Sequence, residues 1–180
     1  MIDHERVSVT SPGGFSTVEI KTAFSHFTTG VTVITGQSGG TPYGFTCQSF
    51  VALSLDPTYF SFCPSRNSQS WPMIRTAGAV SVNILADDQA ALCETFSRKT
   101  FDRFADVKWR QADNGSPALE GVLARIEADI VDEIDAGDHI IVVAEPTGFW
   151  IDSARTPLLY YQGAFGCPHD CADSRPSAAD

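Results

Sequence analysis

Apolar and polar positions alternate through most of this chain, and three stretches break the alternation with a helical period. The first opens at Ser16, which forms a capping-box pattern with Glu19 three residues on. Val18, Ala23, Phe24 and Phe27 then fall on one side, and Gly30 is the expected stop. A strand of β-branched residues follows, Val31-Thr32-Val33-Ile34-Thr35, then a glycine-rich turn from Gly36 to Pro42 and a second strand from Tyr43 to Leu53. Asp56-Pro57 breaks the chain before a third strand, Tyr59 to Cys63. A short helix is predicted near Ser70 to Thr76, where Pro72 is tolerated in the first turn. Ala79 to Leu85 reads as a strand and leads to a helix from Asp87, as N-cap, to Phe96.

Residues 97–120 read mostly as loop. Leu123 to Val131 alternates, with Ala124, Ile126, Ala128 and Ile130 inward and Arg125, Glu127 and Asp129 on a wet face. After the turn Asp135-Ala136-Gly137-Asp138, His139 to Ala144 and Leu158 to Tyr161 complete about six or seven strands. Short turns between consecutive strands, with few helices, predict a mainly β fold: an antiparallel barrel and not a doubly wound parallel sheet. The expected organisation is a flexible N-terminal segment over 1–15, one domain over 16–166, and a polar tail over 167–180.

Composition narrows the function. The 180 residues carry 12 Lys+Arg against 22 Asp+Glu, a net charge of −10, which disfavours a nucleic-acid surface. No apolar run approaches the ~20 residues of a membrane helix, and the N-terminus lacks a signal-peptide pattern, so a cytoplasmic protein is expected. The five cysteines are then read as thiols.

Five segments can carry chemistry. Tyr43-Gly44-Phe45-Thr46-Cys47-Gln48-Ser49-Phe50 puts hydrogen-bonding groups on both faces of a strand, which suits either a flat heteroaromatic ligand or a wetted edge. Cys63-Pro64-Ser65-Arg66-Asn67-Ser68-Gln69-Ser70, between a strand and a helix, can cradle a phosphate or be a capped loop. Gly137-Asp138-His139 delivers a histidine at a strand start, as a proton donor or a structural group. Ser97 to Phe104 clusters Arg98, Lys99 and Arg103 beside two phenylalanines, as an anion and ring clamp or a solvated loop. Cys167-Pro168-His169-Asp170-Cys171 offers three soft or imidazole groups, too few for a structural zinc.

In this order, the segments resemble the short-chain flavin reductases, the reductase components of two-component flavin-dependent monooxygenases. The resemblance runs from about Phe24 to Phe165 and rests on Phe27-Thr28-Thr29-Gly30 with the strand after it, Gly44 to Phe50, Ser54-Leu55-Asp56-Pro57, Phe62 to Ser65, Val82 to Gln89, Gly137-Asp138-His139, and Pro157 to Gly163. It implies an antiparallel split barrel, a homodimer, and hydride transfer from NADH or NADPH to FMN or FAD, with the reduced flavin passing to a partner oxygenase. The alternatives are an enzyme that retains its flavin and acts on an organic substrate, or a non-catalytic flavin-binding module.

Residue by residue, the resemblance puts Phe45, Thr46, Cys47, Gln48 and Ser49 along the isoalloxazine ring, and Ser65, Ser68 and Ser70, with Trp71, at the phosphate. Ser97, Arg103 and Phe104 would meet the phosphate end, or an adenine if the ligand is FAD. His139, as the catalytic candidate, and Tyr160, Tyr161, Gln162 and Gly163 would shape the nicotinamide site, while Thr29 and Cys63 join the cofactor-binding set. Two positions depart from the family pattern: Gln162 stands where a cation is usual, and Arg103 where lysine is.

Overall fold

The computed structural model describes residues 14–98 and 102–166, so the Cys167–Cys171 motif, Lys99 and both proposed terminal segments except Gly14 and Phe15 lie outside the described residues. Among the described residues no helix is long and apolar enough to cross a membrane. In chain order the elements are α1 (Thr17–Phe24), β1 (Thr29–Gly30), β2 (Thr32–Ser38), β3 (Thr41–Cys47), β4 (Val51–Leu55), β5 (Thr58–Phe62) and α2 (Trp71–Ile74). A 3-10 turn and β6 (Ala79–Ile84), α3 (Ala90–Ser97), β7 (Trp109–Gln111), β8 (Pro117–Leu119) and β9 (Ala124–Ala136) follow. The chain ends in β10 (His139–Ile151), β11 (Leu159–Tyr161) and β12 (Ala164–Gly166).

Seven strands form one antiparallel sheet in the order β3-β2-β6-β9-β10-β5-β4. Its two outermost strands, β3 and β4, are separated in sequence by Gln48-Ser49-Phe50 alone. Strands lie roughly 4.8 Å apart, so a flat sheet would hold β3 and β4 about 29 Å from each other. The link from Cys47 to Val51 reaches about 14 Å at full extension. The sheet must therefore roll until its edges face each other. No ladder joins β3 to β4 among the described residues, which leaves a mainly β, antiparallel barrel that is split along that seam.

The predicted strand from Tyr43 to Leu53 is thus two strands on opposite edges, broken where polar Gln48 and Ser49 cross the seam. The glycine-rich turn is tighter than expected. Gly39 and Gly40 alone make it, with φ of 56° and 82°, values that suit glycine and the twist of a two-residue hairpin.

β2 is buried on both faces, which explains its unbroken β-branched run. Ile34 faces the barrel interior with Phe60, Phe62, Trp71, Ile74, Val82 and Val142. Val31 and Val33 face a second core of Leu85, Phe96, Phe104, Leu119, Val122 and Leu158, under α3 and the segment that follows it.

Three local expectations are corrected. Residues 97–120 hold a short hairpin, β7–β8, pinned to the sheet by Asn83, which is fully buried. The Asn83 amide donates to the carbonyl of Val33 at 3.0 Å and to the Thr35 hydroxyl at 2.9 Å, and its oxygen accepts from the backbone N–H of Leu119 at 3.0 Å. Long-range polar contacts of this kind leave no periodic signal. Second, Arg125 and Glu127 are buried and not wet, because Asn114 and Trp150 lie against them. They form an ion pair at 3.2 Å, while Asp129 is exposed as expected. Third, α3 starts at Ala90 with Gln89 as its N-cap. Asp87 instead accepts from the Thr156 hydroxyl at 2.6 Å, a partner 69 residues away.

The capping box at Ser16 and Glu19 is present in both directions, yet α1 ends at Phe24 and buries none of its residues in the protomer. Its apolar side has no cover among the described residues.

Asn83→Ala strands the Leu119 N–H and removes the amide's buried bonds to Val33, Thr35 and Ser81, so it is expected to lower unfolding free energy by about 3 kcal/mol in urea denaturation. A loss below about 1 kcal/mol would show that the hairpin does not depend on this amide.

Candidate functional site

The rolled sheet leaves a cleft of about 820 Å³ at the seam. One wall is the end of β3 and the crossing segment: Phe45, Thr46, Cys47, Gln48 and Ser49. Facing them are Cys63, Ser65 and Ser68 from the loop after β5, Cys93, Phe96 and Ser97 from α3, and Arg103. His139 opens β10 just after the turn from β9, and Phe24, Tyr160 and Phe165 add aromatic surface from α1, β11 and β12.

The β3 wall is held from behind. The Thr46 hydroxyl donates to the carbonyl of Cys93 at 2.8 Å, tying β3 to α3. Gly44 lets the ring of Phe96 come close: a Cβ there would sit 2.6 Å from the ring and 3.2 Å from the Ile34 carbonyl oxygen. The Gly44 carbonyl accepts from the Ser70 hydroxyl at 2.9 Å and from Arg103 Nη1 at 2.8 Å. Ser49 closes the seam, since its hydroxyl oxygen accepts from the Cys63 N–H at 2.8 Å and lies 3.1 Å from the Cys47 sulfur.

Arg103 also donates through Nε to the Arg98 carbonyl at 2.8 Å and through Nη1 to the Ser70 hydroxyl. Its burial lowers its pKa from the ordinary arginine value, where it still remains a cation. Ser70 lies two residues from Ser68, so these bonds bring a fixed positive charge to a loop of serine hydroxyls. The Ser68 oxygen accepts from the Trp71 N–H at 3.1 Å and the Ser65 oxygen from the Asn67 N–H at 3.2 Å, which leaves each hydroxyl hydrogen to donate.

His139 is half-buried, with Nδ1 2.8 Å from an Asp138 carboxylate oxygen. A carboxylate only accepts, so Nδ1 carries the proton there and Nε2 is the nitrogen left to other partners. The same bond is the main cause holding the Asp138 pKa below the ordinary carboxylate value.

Of the other sequence-derived candidates, Ser70 is buried and spent on Gly44, and Trp71 is core, edge-on to Phe45 at 6.3 Å and to Phe62 at 5.5 Å. Both support the wall from behind. Phe104 is also core, packed edge-on to Phe96 at 5.0 Å. Thr29 does not line the cleft, and its hydroxyl is buried without a partner among the described residues. Tyr161 ends β11, Gln162 and Gly163 make the turn to β12, and they meet the residues that follow α1: Tyr161 lies edge-on to His26, the Gln162 N–H donates to the Ser25 carbonyl at 3.0 Å, and its amide nitrogen meets His26 Nε2 at 2.7 Å. Cys93, Phe96, Phe24 and Phe165 line the cleft and escaped the sequence reading, because each comes from an element whose docking, not whose pattern, aims it there.

The arrangement suits a planar heteroaromatic ring bearing an anionic group. Aromatic side chains offer flat apolar contact, the crossing segment offers donors and acceptors, and Ser65, Ser68 and Arg103 offer hydroxyls and a cation. Residues 24–167 match the model of the flavin reductase like domain. The reductase subunit HsaB of a flavin-dependent monooxygenase from Rhodococcus jostii is 39% identical over 145 residues, covering 81% of this chain and 74% of that one. A flavin reductase of Pseudomonas putida is 37% identical over 147 residues, covering 81% and 86%. Among solved structures, nitrilotriacetate monooxygenase component B from Mycobacterium thermoresistibile superposes with a TM-score of 0.84 at 38% identity, covering 91% of this chain and 92% of its own. The NADH:FAD oxidoreductase of Streptomyces globisporus, bound to NAD and FAD fragments, gives 0.86 at 27% identity, covering 93% and 100%.

Burial raises the pKa of the Cys47 and Cys93 thiols, whereas Cys63 is only half-buried. Iodoacetamide is therefore expected to alkylate Cys63 well before Cys47 or Cys93 in the folded protein, as read by peptide mapping. Equal labelling of the three would contradict the wall described above.

Proposed function

Because the chain belongs to the flavin reductase like family, we propose that it is an NAD(P)H:flavin oxidoreductase that supplies reduced FMN or FAD to a separate flavin-dependent oxygenase. The observation that carries this reading is the single cleft in which the β3 wall, the serine loop with Arg103, and His139 meet. A bound flavin supplies the hydride-accepting ring and passes electrons on. The protein's own residues bind, orient and exclude water.

In this reading Phe45 and Tyr160 flank the ring, and Thr46 to Ser49 meet its polar edge. Ser65 and Ser68 donate to the phosphate beside Arg103, which replaces Arg66 as the cation of that loop. His139 directs Nε2 into the cleft, oriented through Nδ1 by Asp138, and holds the nicotinamide or moves a proton there. Many single polar contacts and no covalent tether fit a flavin that must leave.

The second copy of a homodimer accounts for apolar surface left uncovered among the described residues. Phe24 and Phe27 are 75% and 77% exposed next to the cleft, and Val51, Leu53 and Leu55 stand open on β4, an outermost strand of the sheet. A partner packed there would complete the cleft wall that α1 begins.

Steady NADH or NADPH oxidation that depends on added FMN or FAD is the expected result. Flavin that co-purifies tightly, with no nicotinamide turnover, would sink the reading in favour of a flavin-retaining enzyme or a binding module. Flavin should also protect Cys63 from iodoacetamide. Ser68→Ala is expected to raise the flavin Kd about tenfold through loss of one bond to a charged group. His139→Ala should lower kcat about tenfold or more while the flavin Kd changes less than about twofold. Unchanged turnover would reject its role.

A further inference from the structure

Arg66 lies in the serine-rich loop but does not line the cleft. Its guanidinium turns instead to the β9–β10 hairpin. Nε donates to the carbonyl of Gly137 at 2.9 Å, and Nη2 pairs with the Asp135 carboxylate at 2.5 Å. Its backbone N–H donates to the carbonyl of Asp138, also at 2.9 Å. One residue earlier, Ser65 pairs with His139 in an isolated antiparallel bridge, and the Ile140 N–H donates to the Pro64 carbonyl at 3.0 Å. The loop thus runs as an added strand beside the start of β10, and the arginine side chain closes over the turn.

That turn is the source of the His139 geometry. Gly137, at φ 64°, and Asp138 are its two corner residues, and Asp138 is the carboxylate that holds His139 Nδ1. The Asp138 and Asp135 side chains are exposed, so beyond the backbone ladder and the Ser65–His139 bridge the Arg66 guanidinium is what the turn's own side chains and carbonyls meet. A lone exposed ion pair contributes little. Here the pair is joined by two carbonyl contacts around one turn, which fixes a direction more than it adds stability.

We propose that Arg66 is a positioning residue for His139: it clamps the Ala136–His139 turn against the serine loop and so aims the imidazole into the cleft, without touching flavin or nicotinamide. The inference rests on the reading of His139 given above. It also explains why the loop carries a cation that is turned away from its own hydroxyls.

A double-substitution cycle tests it, with kcat, flavin Kd and the imidazole NMR resonances of His139 in the flavin-free protein as readouts. Arg66→Ala is expected to lower kcat about fivefold and leave the flavin Kd within about twofold. It should also shift or broaden the His139 resonances before any flavin is added. Arg66→Lys, which keeps the charge but cannot reach both Gly137 and Asp135 with a planar fork, should recover little of the loss. In a His139→Ala background, Arg66→Ala should cost nothing further.

Additive losses in the double variant, or unaltered His139 resonances, would overturn the proposal. A flavin Kd raised about tenfold by Arg66→Ala would overturn it in favour of a direct phosphate contact. If His139→Ala slows turnover and Arg66→Ala does not, the clamp fails while the reading of His139 stands. If His139→Ala has no effect, both fail together.

Discussion

The constraint on which the rest of this molecule depends is the short crossing at Gln48-Ser49-Phe50. It joins the two outermost strands of a seven-stranded sheet, and three residues cannot do so unless the sheet is rolled. The same crossing supplies part of the cleft wall. Closure and binding surface therefore come from one stretch of chain, with Ser49 holding the far lip at Cys63. A seam that pairs as a full ladder would close the barrel and fill the space in which the site lies.

Around that seam the polar groups divide by role. Ser70, Thr46 and Arg103 spend hydrogen bonds on backbone carbonyls and fix the wall; Ser70 does so from behind it, whereas Thr46 and Arg103 also line the cleft. Ser65, Ser68 and His139 line it with capacity left over. Trp71 and Phe104, aromatic residues that suit a ring-stacking role on chemistry alone, lie in the two cores and back Phe45 and Phe96. A flavin reductase of this kind needs a slot of fixed width, and rigid support behind the slot contributes as much to that as the residues that touch the ring.

Much of the site was legible where the chain is contiguous. Phe45 to Ser49, Cys63, Ser65, Ser68 and His139 all line the cleft, because a strand, a turn and a loop carry their residues together wherever they go. Legibility failed where function depends on docking. Arg66 and Arg103 are both cations near serines in sequence, yet one turns to a hairpin tip and the other to the cleft. Gln162, in the place of a usual cation, engages His26 just after α1 and not the cleft. Arg125 and Glu127 sit in an alternating strand with every mark of a wet face, and a loop from another part of the chain buries them.

Most of the antiparallel strands, the capping box at Ser16 and the family to which the chain belongs could be read from the residues alone, whereas the break at Gln48 and the β7–β8 hairpin could not. Each legible feature is written in periodicity, in glycine-rich turns such as Gly36 to Pro42, or in motifs a few positions long, and local backbone preference suffices to read it. Only long-range contacts decided where the expected barrel splits, that Asn83 holds a hairpin 36 residues away, and which of two arginines lines the cleft. Those outcomes depend on which buried donors and acceptors find partners across the fold. A side chain's alternatives there are set by neighbours distant in sequence, and no local pattern encodes them.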